Sequence, residues 1–337
     1  MKEFIYFKRF FSYLFIGIFL LILTLVLTLS FGASHYHLKE ISEALTVFSK
    51  ENFHHTTIRD IRLPRWIADV IVGASLSVSG TIMQGTTRNP MADSGLMGIA
   101  SGSTLGIVIV MTFFPNAGRF ERMGISAIGA IAVTLLIYAI ATLGKGRMNT
   151  QRLVLSGMAI STLLSSLTTA IVLKYGLSNQ MLRYISGSSA NVIWKDIYIS
   201  LPIFLFSIFL SILIARFLTA MNLGEEISIS LGVNRRLVVA LATVIVLSLS
   251  SVAVIMIGPV GYVGLMVPYF ARYIAGTDYR YILPLSAIYG ANFVCGIDLL
   301  SKLIRPGKEL PIGLLITMIG VPFFVYISRK KGGEWYL

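Results

Sequence analysis

The sequence predicts an all-α, polytopic membrane protein with about ten transmembrane helices, one of them short or broken, and a short helix on the cytoplasmic side. Two observations support this fold class. Of the 337 residues, 55% are hydrophobic and only 13% are charged, whereas soluble domains carry roughly a quarter charged residues. Long apolar runs also recur along the whole chain. This composition excludes a soluble globular enzyme, and the formal charge of +13 is therefore not read as a sign of nucleic-acid binding.

Ten apolar runs are candidate spans, since one crossing takes roughly 20 residues. They lie at 10–32, 67–86, 95–114, 124–143, 153–173, 197–218, 237–257, 261–275, 281–300 and 311–328. The first run is too long for the apolar part of a signal peptide, so we interpret it as a retained helix. The eighth run is too short to cross unaided and follows Gly258 and Pro259, which predicts a broken segment buried by its neighbours. Together the runs make residues 1–337 one transmembrane domain.

The basic residues near the two ends predict the orientation of the chain. An even number of spans puts both ends on one side of the membrane. Three Lys or Arg residues lie within residues 2–9, and three more within 329–331. By the positive-inside rule both termini are therefore expected in the cytoplasm.

Several chemistries are excluded or weakened by the residues that are missing. Cys295 is the single cysteine, so no internal disulfide and no site of paired cysteines can form, and we expect no metal site and no catalytic residue. No Walker motif occurs, so any ATP hydrolysis must come from a partner. The rival class is a proton-coupled secondary transporter or a membrane-embedded enzyme, which normally needs ionisable groups deep in the bilayer. Only Asp69 and Asp298 are carboxylates well inside the apolar runs, and both lie near outer ends.

Basic residues precede the second span on the outer side, in the segment 58–66. Arg62 and Arg65 are three residues apart and would share one face if the turn is helical. They could be anchors that snorkel to the interface, or they could be docking charges for an acidic partner. The spacing alone leaves both interpretations open.

A polar stretch interrupts the apolar sequence at the cytoplasmic end of the second span, over residues 84–93. It contains Asn89-Pro90, a dipeptide that favours turns. Read by itself, the stretch is a loop.

A second polar stretch, residues 219–236, connects two later spans on the cytoplasmic side. Gly224 and Gly232 bracket a short segment whose two opening glutamates suit a helix N-terminus, and Gly232 suits its C-terminal end. Ile227 and Leu231 would share a face. This helix lacks the Lys and Arg residues expected of a helix on a lipid surface, so a groove on another protein is the better partner.

These three elements, in this order and at these depths, resemble the permease subunit of the FecCD family of ABC importers for ferric siderophores, haem and cobalamin. The resemblance covers nearly the whole chain, including the segments 258–268 and 309–313. It implies a bacterial cell-membrane subunit that dimerises, with an identical copy or a paralogue, around a central path. It also implies two ATPase subunits, which bind ATP and Mg, and an extracytoplasmic binding protein. Ferric siderophores are the commonest cargo of such permeases, so we predict that substrate class, with haem or cobalamin as alternatives.

The resemblance assigns roles to three groups of residues, and a fourth group of uncharged residues is expected to line the path. Binding-protein docking, within the outer segments 58–66 and 301–309, falls to Arg62, Arg65, Lys302 and Arg305. ATPase coupling falls to Leu223, Gly224, Glu225, Glu226, Leu231 and Gly232. The cytoplasmic gate is formed by Asn89, Pro90, Met91, Asn149 and Thr150. The uncharged lining of the translocation path includes Met83, Gln84, Ser101, Ser161 and Ser165.

Overall fold

The computed structural model describes residues 2–93, 98–142, 150–304 and 310–330, and within these ranges the regular structure is helical, with no β-strand. In chain order the helices are α1 (Lys2–Ser30), α2 (Leu38–Thr46), α3 (Phe53–Thr56), α4 (Leu63–Thr87), α5 (Ile99–Phe113), α6 (Arg119–Thr142), α7 (Thr150–Lys174), α8 (Ser178–Ile185), α9 (Trp194–Asn222), α10 (Glu225–Ser230), α11 (Arg235–Ile257), α12 (Val263–Ala275), α13 (Tyr279–Ile304) and α14 (Ile312–Lys330). A π-helical turn, Thr57–Arg62, joins α3 to α4. We call the end of the bundle where α4 begins the outer end, and the end where α4 finishes the inner end.

Apolar helices are present at all ten predicted spans. Seven segments are long and apolar enough to cross a membrane, and they fall in α1, α4, α6, α7, α9, α11 and α13. Three shorter apolar segments fall in α5, α12 and α14. Each of the ten overlaps one apolar run of the sequence, so the chain is a multi-pass membrane protein.

The predicted broken segment lies before α12, which has only 13 residues. Gly258 and Tyr262 both have positive φ, at 88° and 68°, so the chain between α11 and α12 is not helical. A neighbouring loop satisfies the carbonyl at the end of α11, since the Ser188 backbone N–H donates to the Ile257 oxygen at 3.0 Å. Irregular backbone at membrane depth needs such internal partners.

The most deeply buried long helix of the described chain is α4, which packs against α9, α11, α12 and α13. Glycines let these backbones approach closely. A Cβ added at Gly73 would lie 2.2 Å from the Gly290 oxygen, and one added at Gly80 would lie 2.1 Å from the Gly264 oxygen. The bundle is therefore closed around α4 by backbone contacts that only glycine permits.

The sequence did not predict the small helices at the outer end, α2, α3 and α8. The loop between α1 and α4 folds into a cap with its own apolar cluster. The buried members of this cluster are Leu29, Tyr36, Ile41, Ala44 and Ile58. The spacing of these apolar residues did not reveal the helices in the sequence, because the cap helices are too short to show a clear helical period.

Replacing Gly290 with Ala should destabilise the protein. The new methyl would lie 2.3 Å from the Gly73 oxygen, and overpacking of this kind costs up to about 3 kcal/mol. Gly296→Ala in the same helix is the matched control, because nothing lies within 4 Å of its added Cβ. Thermal unfolding in detergent measures both. Equal melting temperatures for the two variants would contradict the close packing of α4 and α13.

Candidate functional site

At the outer end, Arg62 lies inside the chain, with 7% of its surface exposed. Its Nη1 donates to the Leu29 oxygen and its Nη2 to the Ser34 oxygen, both at 2.6 Å. The guanidinium also lies 4.4 Å from the centre of the Tyr36 ring. The sequence suggested that Arg62 carries an accessible docking charge. In the structure the Arg62 guanidinium is instead buried and bound to carbonyls of α1 and of the loop after it.

Arg65 and Lys302 converge on Asp298 in a buried ion cluster. Arg65 donates to Asp298 Oδ1 from Nε at 3.0 Å and from Nη2 at 2.6 Å. The Lys302 Nζ lies 2.6 Å from Asp298 Oδ2. The Arg65 residue is 7% exposed, and Asp298 is fully buried. This cluster joins the first turn of α4 to the last turn of α13, so neither cation is the free surface charge that the sequence suggested.

The outer end exposes charges in the cap and also at the ends of the spans, where Lys174 and Lys195 are exposed. Arg59 is exposed, and its guanidinium lies 4.5 Å from the centre of the Phe48 ring. Glu40 accepts a hydrogen bond from the His37 backbone N–H at 2.8 Å and lies 3.1 Å from His54 Nδ1. The His37 bond, together with His54, holds the pKa of Glu40 below its ordinary value.

The fourth predicted docking residue, Arg305, lies outside the described residues.

Two of the predicted path residues, Met83 and Gln84, are buried inside the chain near the inner end of α4. Met83 is 2% exposed and Gln84 is 1% exposed. The Gln84 side chain donates to the Gly264 oxygen at 3.1 Å and accepts a hydrogen bond from Arg272. These contacts hold α4 to α12, which differs from the open lining expected from the sequence. A glutamine in an apolar helix must find partners, and here they are internal.

The other three predicted path residues lie on α5 and α7, where hydroxyl groups form a stripe. Ser101 donates to Ser161 at 3.3 Å, and Ser165 is exposed one turn further along α7. The stripe continues through three more exposed residues whose hydroxyls bond to carbonyls four residues earlier at 2.9 to 3.0 Å: Thr162, Ser166 and Thr169. The result is a polar but uncharged helix face.

At the inner end the chain turns after Asn89, as predicted. The Asn89 side chain accepts a hydrogen bond from the Met91 backbone N–H at 2.9 Å, and its carbonyl accepts one from the Ala92 N–H at 3.0 Å. The exposed side chain of Met91 borders a small cavity. The other lining residues are Pro90, Tyr262, Leu265, Met266, Tyr269, Phe323 and Phe324. Of the remaining predicted gate residues, Thr150 is the first residue of α7, and Asn149 lies outside the described residues.

The short helix predicted between Gly224 and Gly232 is present as α10. It begins at Glu225, and Glu226 is exposed in its first turn. Gly232 has a φ of 71°, and the Val233 N–H donates to the Ser228 oxygen at 3.0 Å, which ends the helix as expected of a glycine stop.

The apolar side chains around α10 are exposed at the inner end. Leu223 is 56%, Ile227 46% and Leu231 61% exposed. Residues four apart lie on one face of a helix, so Ile227 and Leu231 share a face, and Leu223 lies just before α10 on the other side of Gly224. The buried Ser228 points toward the rest of the chain instead. An exposed apolar surface outside the spans is suited to contact with another protein.

These elements define a multi-pass membrane protein with a polar helix face between an outer cap and a short exposed helix at the inner end. The chain belongs to the FecCD transport family, whose profile matches residues 20–330. It is 34% identical over 303 residues to the iron(3+)-hydroxamate import system permease protein FhuB of Bacillus subtilis (strain 168), covering 90% of this chain and 79% of that protein. It is 36% identical over 280 residues to the hemin transport system permease protein HmuU of Yersinia pestis, covering 81% and 83%.

A solved structure supports the same assignment. An inward-facing transporter described as a metal-chelate type ABC transporter superposes with a TM-score of 0.82 at 25% identity, covering 94% of this chain and 99% of that one. The protein is therefore the permease subunit of an ABC importer, and a permease of this kind works with ATPase and binding-protein partners. The alternative of a proton-coupled secondary transporter is set aside by this membership.

Sequence reasoning missed the polar residues that join the inner helix ends, above all Arg88 and Asn222. Arg88 donates to the Met221 oxygen, and Asn222 donates to the Gly85 oxygen at 3.1 Å. The position of Arg88 directly after a helix was a usable indication, because a cation there suits the negative end of the helix dipole. That position did not show which neighbouring helix end Arg88 would bind.

Replacing Asp298 with Asn should cost about 3 to 5 kcal/mol of stability, because it removes the carboxylate that Arg65 and Lys302 both approach to 2.6 Å. Asp60→Asn is the control, because Asp60 is exposed at the same end and substitutions at such positions change stability by roughly 0.5 kcal/mol or less. Denaturation followed by tryptophan fluorescence measures both. Unchanged stability of Asp298→Asn would show that the cluster does not hold α4 to α13.

Proposed function

We propose that this chain is the translocation subunit for a ferric siderophore. In this proposal two permease chains, identical or paralogous, enclose the path in a bacterial cell membrane with both termini in the cytoplasm. Two ATPase subunits bind Mg-ATP at the inner end, and an extracytoplasmic protein delivers the iron chelate at the outer end. The chain itself binds no cofactor.

The observation that carries this proposal is the hydroxyl stripe of α7. An exposed, uncharged row of hydroxyls suits a path through which a polar chelate passes. Because Thr162, Ser166 and Thr169 already bond to their own helix, they offer a passing substrate only weak contacts. Conduction requires binding weak enough to release the substrate. The similarity to a ferric hydroxamate permease supports iron chelates as that substrate.

The inner and outer ends support the roles of the partners. The exposed apolar side chains of Leu223, Ile227 and Leu231, in and next to α10, are the surface we assign to the ATPase. At the outer end an acidic binding protein would meet exposed cations, among them Arg59, Lys174 and Lys195. It would reach Arg65 and Lys302 only in competition with Asp298. Docking charges of this kind raise association rates and are screened by salt.

Haem is the second candidate substrate, because the chain is also 36% identical to a hemin permease. The hydroxyl stripe of α7 does not distinguish a ferric siderophore from haem, because an uncharged hydroxyl face can line a path for both. A haem path would have to accommodate a planar, more apolar ligand.

Uptake by the assembled complex tests the substrate. The permease, its ATPases and the binding protein encoded with them are placed in proteoliposomes with ATP on the ATPase side. We expect ATP-dependent uptake of a ferric hydroxamate or ferric catecholate, and none of haemin. A complex lacking ATP is the control. Uptake of haemin alone would replace the siderophore with the second candidate, and uptake of neither would refute the proposed cargo.

The turn at Asn89-Pro90-Met91 should act as a gate on the inner side. A cysteine at Met91, in a Cys295→Ser background and with the matching substitution in the partner permease, should crosslink across the dimer in one nucleotide state and not in the other. The physical reason is that Met91 is exposed on a loop held mainly by the Asn89 turn, so it can move when the ATPases close.

The matched control is Tyr198→Cys, an exposed position on α9. It should give no crosslink that depends on nucleotide. Equal crosslinking of Met91→Cys with and without nucleotide, measured on non-reducing gels, would refute the gate.

A further inference from the structure

At the inner end, the last turns of α4 and α9 are joined by two hydrogen bonds that run in opposite directions. Arg88, just after α4, donates from Nη2 to the Met221 oxygen in α9. Asn222, the last residue of α9, donates from Nδ2 to the Gly85 oxygen in α4 at 3.1 Å. Each helix thus receives a side chain from the other at its C-terminal end.

This exchange satisfies groups that a helix cannot satisfy alone. The last four carbonyls of an α-helix have no partner within the helix. Met221 is one residue from the end of α9, and Gly85 is two residues from the end of α4. The Arg88 cation also lies at a helix C-terminus, where positive charge is favoured. The bonds therefore fix the two ends to each other rather than to water.

The backbone at Arg88 indicates that its side chain is required there. Arg88 has a φ of 51° and a ψ of 32°, the left-handed conformation. The residue after a helix usually adopts this conformation as glycine, because a Cβ is disfavoured in it. Arg88 adopts this less favourable backbone conformation, and from there its guanidinium reaches the Met221 oxygen in α9. A strained residue held in this way points to a function for the side chain.

The position of the two residues along the chain shows what they connect. Arg88 directly precedes the turn of Asn89 to Met91, which we propose as the gate. Asn222 is separated from α10, the proposed ATPase contact, only by Leu223 and Gly224. The two bonds therefore lie on a short route from the ATPase contact to the gate.

We propose that Arg88 and Asn222 are positioning residues that transmit movement of α10 to the gate turn. When the ATPases shift α10, the end of α9 moves with it. The Arg88 and Asn222 bonds then carry the end of α4 and the following turn in the same direction. This inference rests on the proposed coupling and gate roles, but not on the identity of the substrate.

A labelling experiment tests the connection without any substrate. In the complex of both permeases and the ATPases, Met91→Cys in a Cys295→Ser background is labelled with a water-soluble maleimide, with and without ATP. We expect ATP to change the labelling rate, and we expect Arg88→Ala or Asn222→Ala to reduce that change about tenfold, the scale of coupling carried by single contacts. ATP hydrolysis should continue in both variants.

Further variants separate transmission from a general loss of structure. Arg88→Lys should restore most of the response, because its ammonium can donate to the same carbonyl. The double variant Arg88→Ala, Asn222→Ala should show little more loss than either single variant, since both serve one connection. Thr87→Val is the matched control: the Thr87 hydroxyl bonds at 2.6 Å to Met83 in its own helix, and its loss should leave the response intact.

The outcomes are distinct. An unchanged response in Arg88→Ala and Asn222→Ala, or an equal loss in Thr87→Val, overturns the inference. Absence of any ATP response in the unsubstituted complex overturns both this inference and the proposed gate. Failure of iron-chelate uptake alongside a normal labelling response refutes only the proposed cargo. Size-exclusion chromatography of each complex confirms that it has assembled.

Discussion

The burial of α4 is the constraint on which the other elements depend. This helix is surrounded by α9, α11, α12 and α13, so its polar groups must be satisfied within the protein. Thr81 illustrates how this is done, because its hydroxyl reaches the Ser77 oxygen at 2.8 Å and the Ser286 hydroxyl at 2.9 Å. The glycine contacts at Gly73 and Gly80 then bring the backbones close enough for such short side chains to meet.

A helix held in this way cannot shift alone, and this limits where movement can occur. The 25 residues of α4 span about 37 Å, close to the thickness of a bilayer. Its first turn carries Arg65 in the ion cluster, and its end leads directly into the Asn89 turn. Because close backbone contacts at Gly73 and Gly80 hold the middle of the helix, any movement is confined to its last turn and the loop that follows, or involves whole helices together. Both kinds of movement involve the contacts that Arg88 and Asn222 make at the inner end.

Hydropathy was sufficient to predict the spans, because a bilayer demands long apolar runs and leaves little freedom in their length. The helix α10 was predictable for a different reason, since Gly224 and Gly232 mark its ends and few other residues tolerate the positive φ found at Gly232. The Asn89 turn was likewise indicated by the proline that follows. Each of these features is encoded locally, within a few residues.

The directions of the polar side chains could not be predicted, because they depend on distant partners. Arg62 and Arg65 share a spacing that suggested one face, but the π-helical turn ends at Arg62 and the two bind different groups. The carboxylate that neutralises Arg65 lies 233 positions away in the chain. Gln84 was placed in the path because it is polar, yet Arg272 and Gly264 enclose it. Sequence spacing carries no information about such long-range pairs.

The two ends of α4 differ in the energy needed to separate their contacts, and this difference indicates which end moves. At the outer end, separating Asp298 from its two cations would leave buried charges unpaired, at a cost of about 3 to 5 kcal/mol. At the inner end, Arg88 and Asn222 bond to uncharged carbonyls. Such a bond contributes about 0.5 to 1.5 kcal/mol from a neutral donor and about 1.5 to 3 kcal/mol from a charged one. The outer end of α4 is therefore the fixed end. The inner end, together with the end of α9 to which Arg88 and Asn222 bind it, is the end that can move.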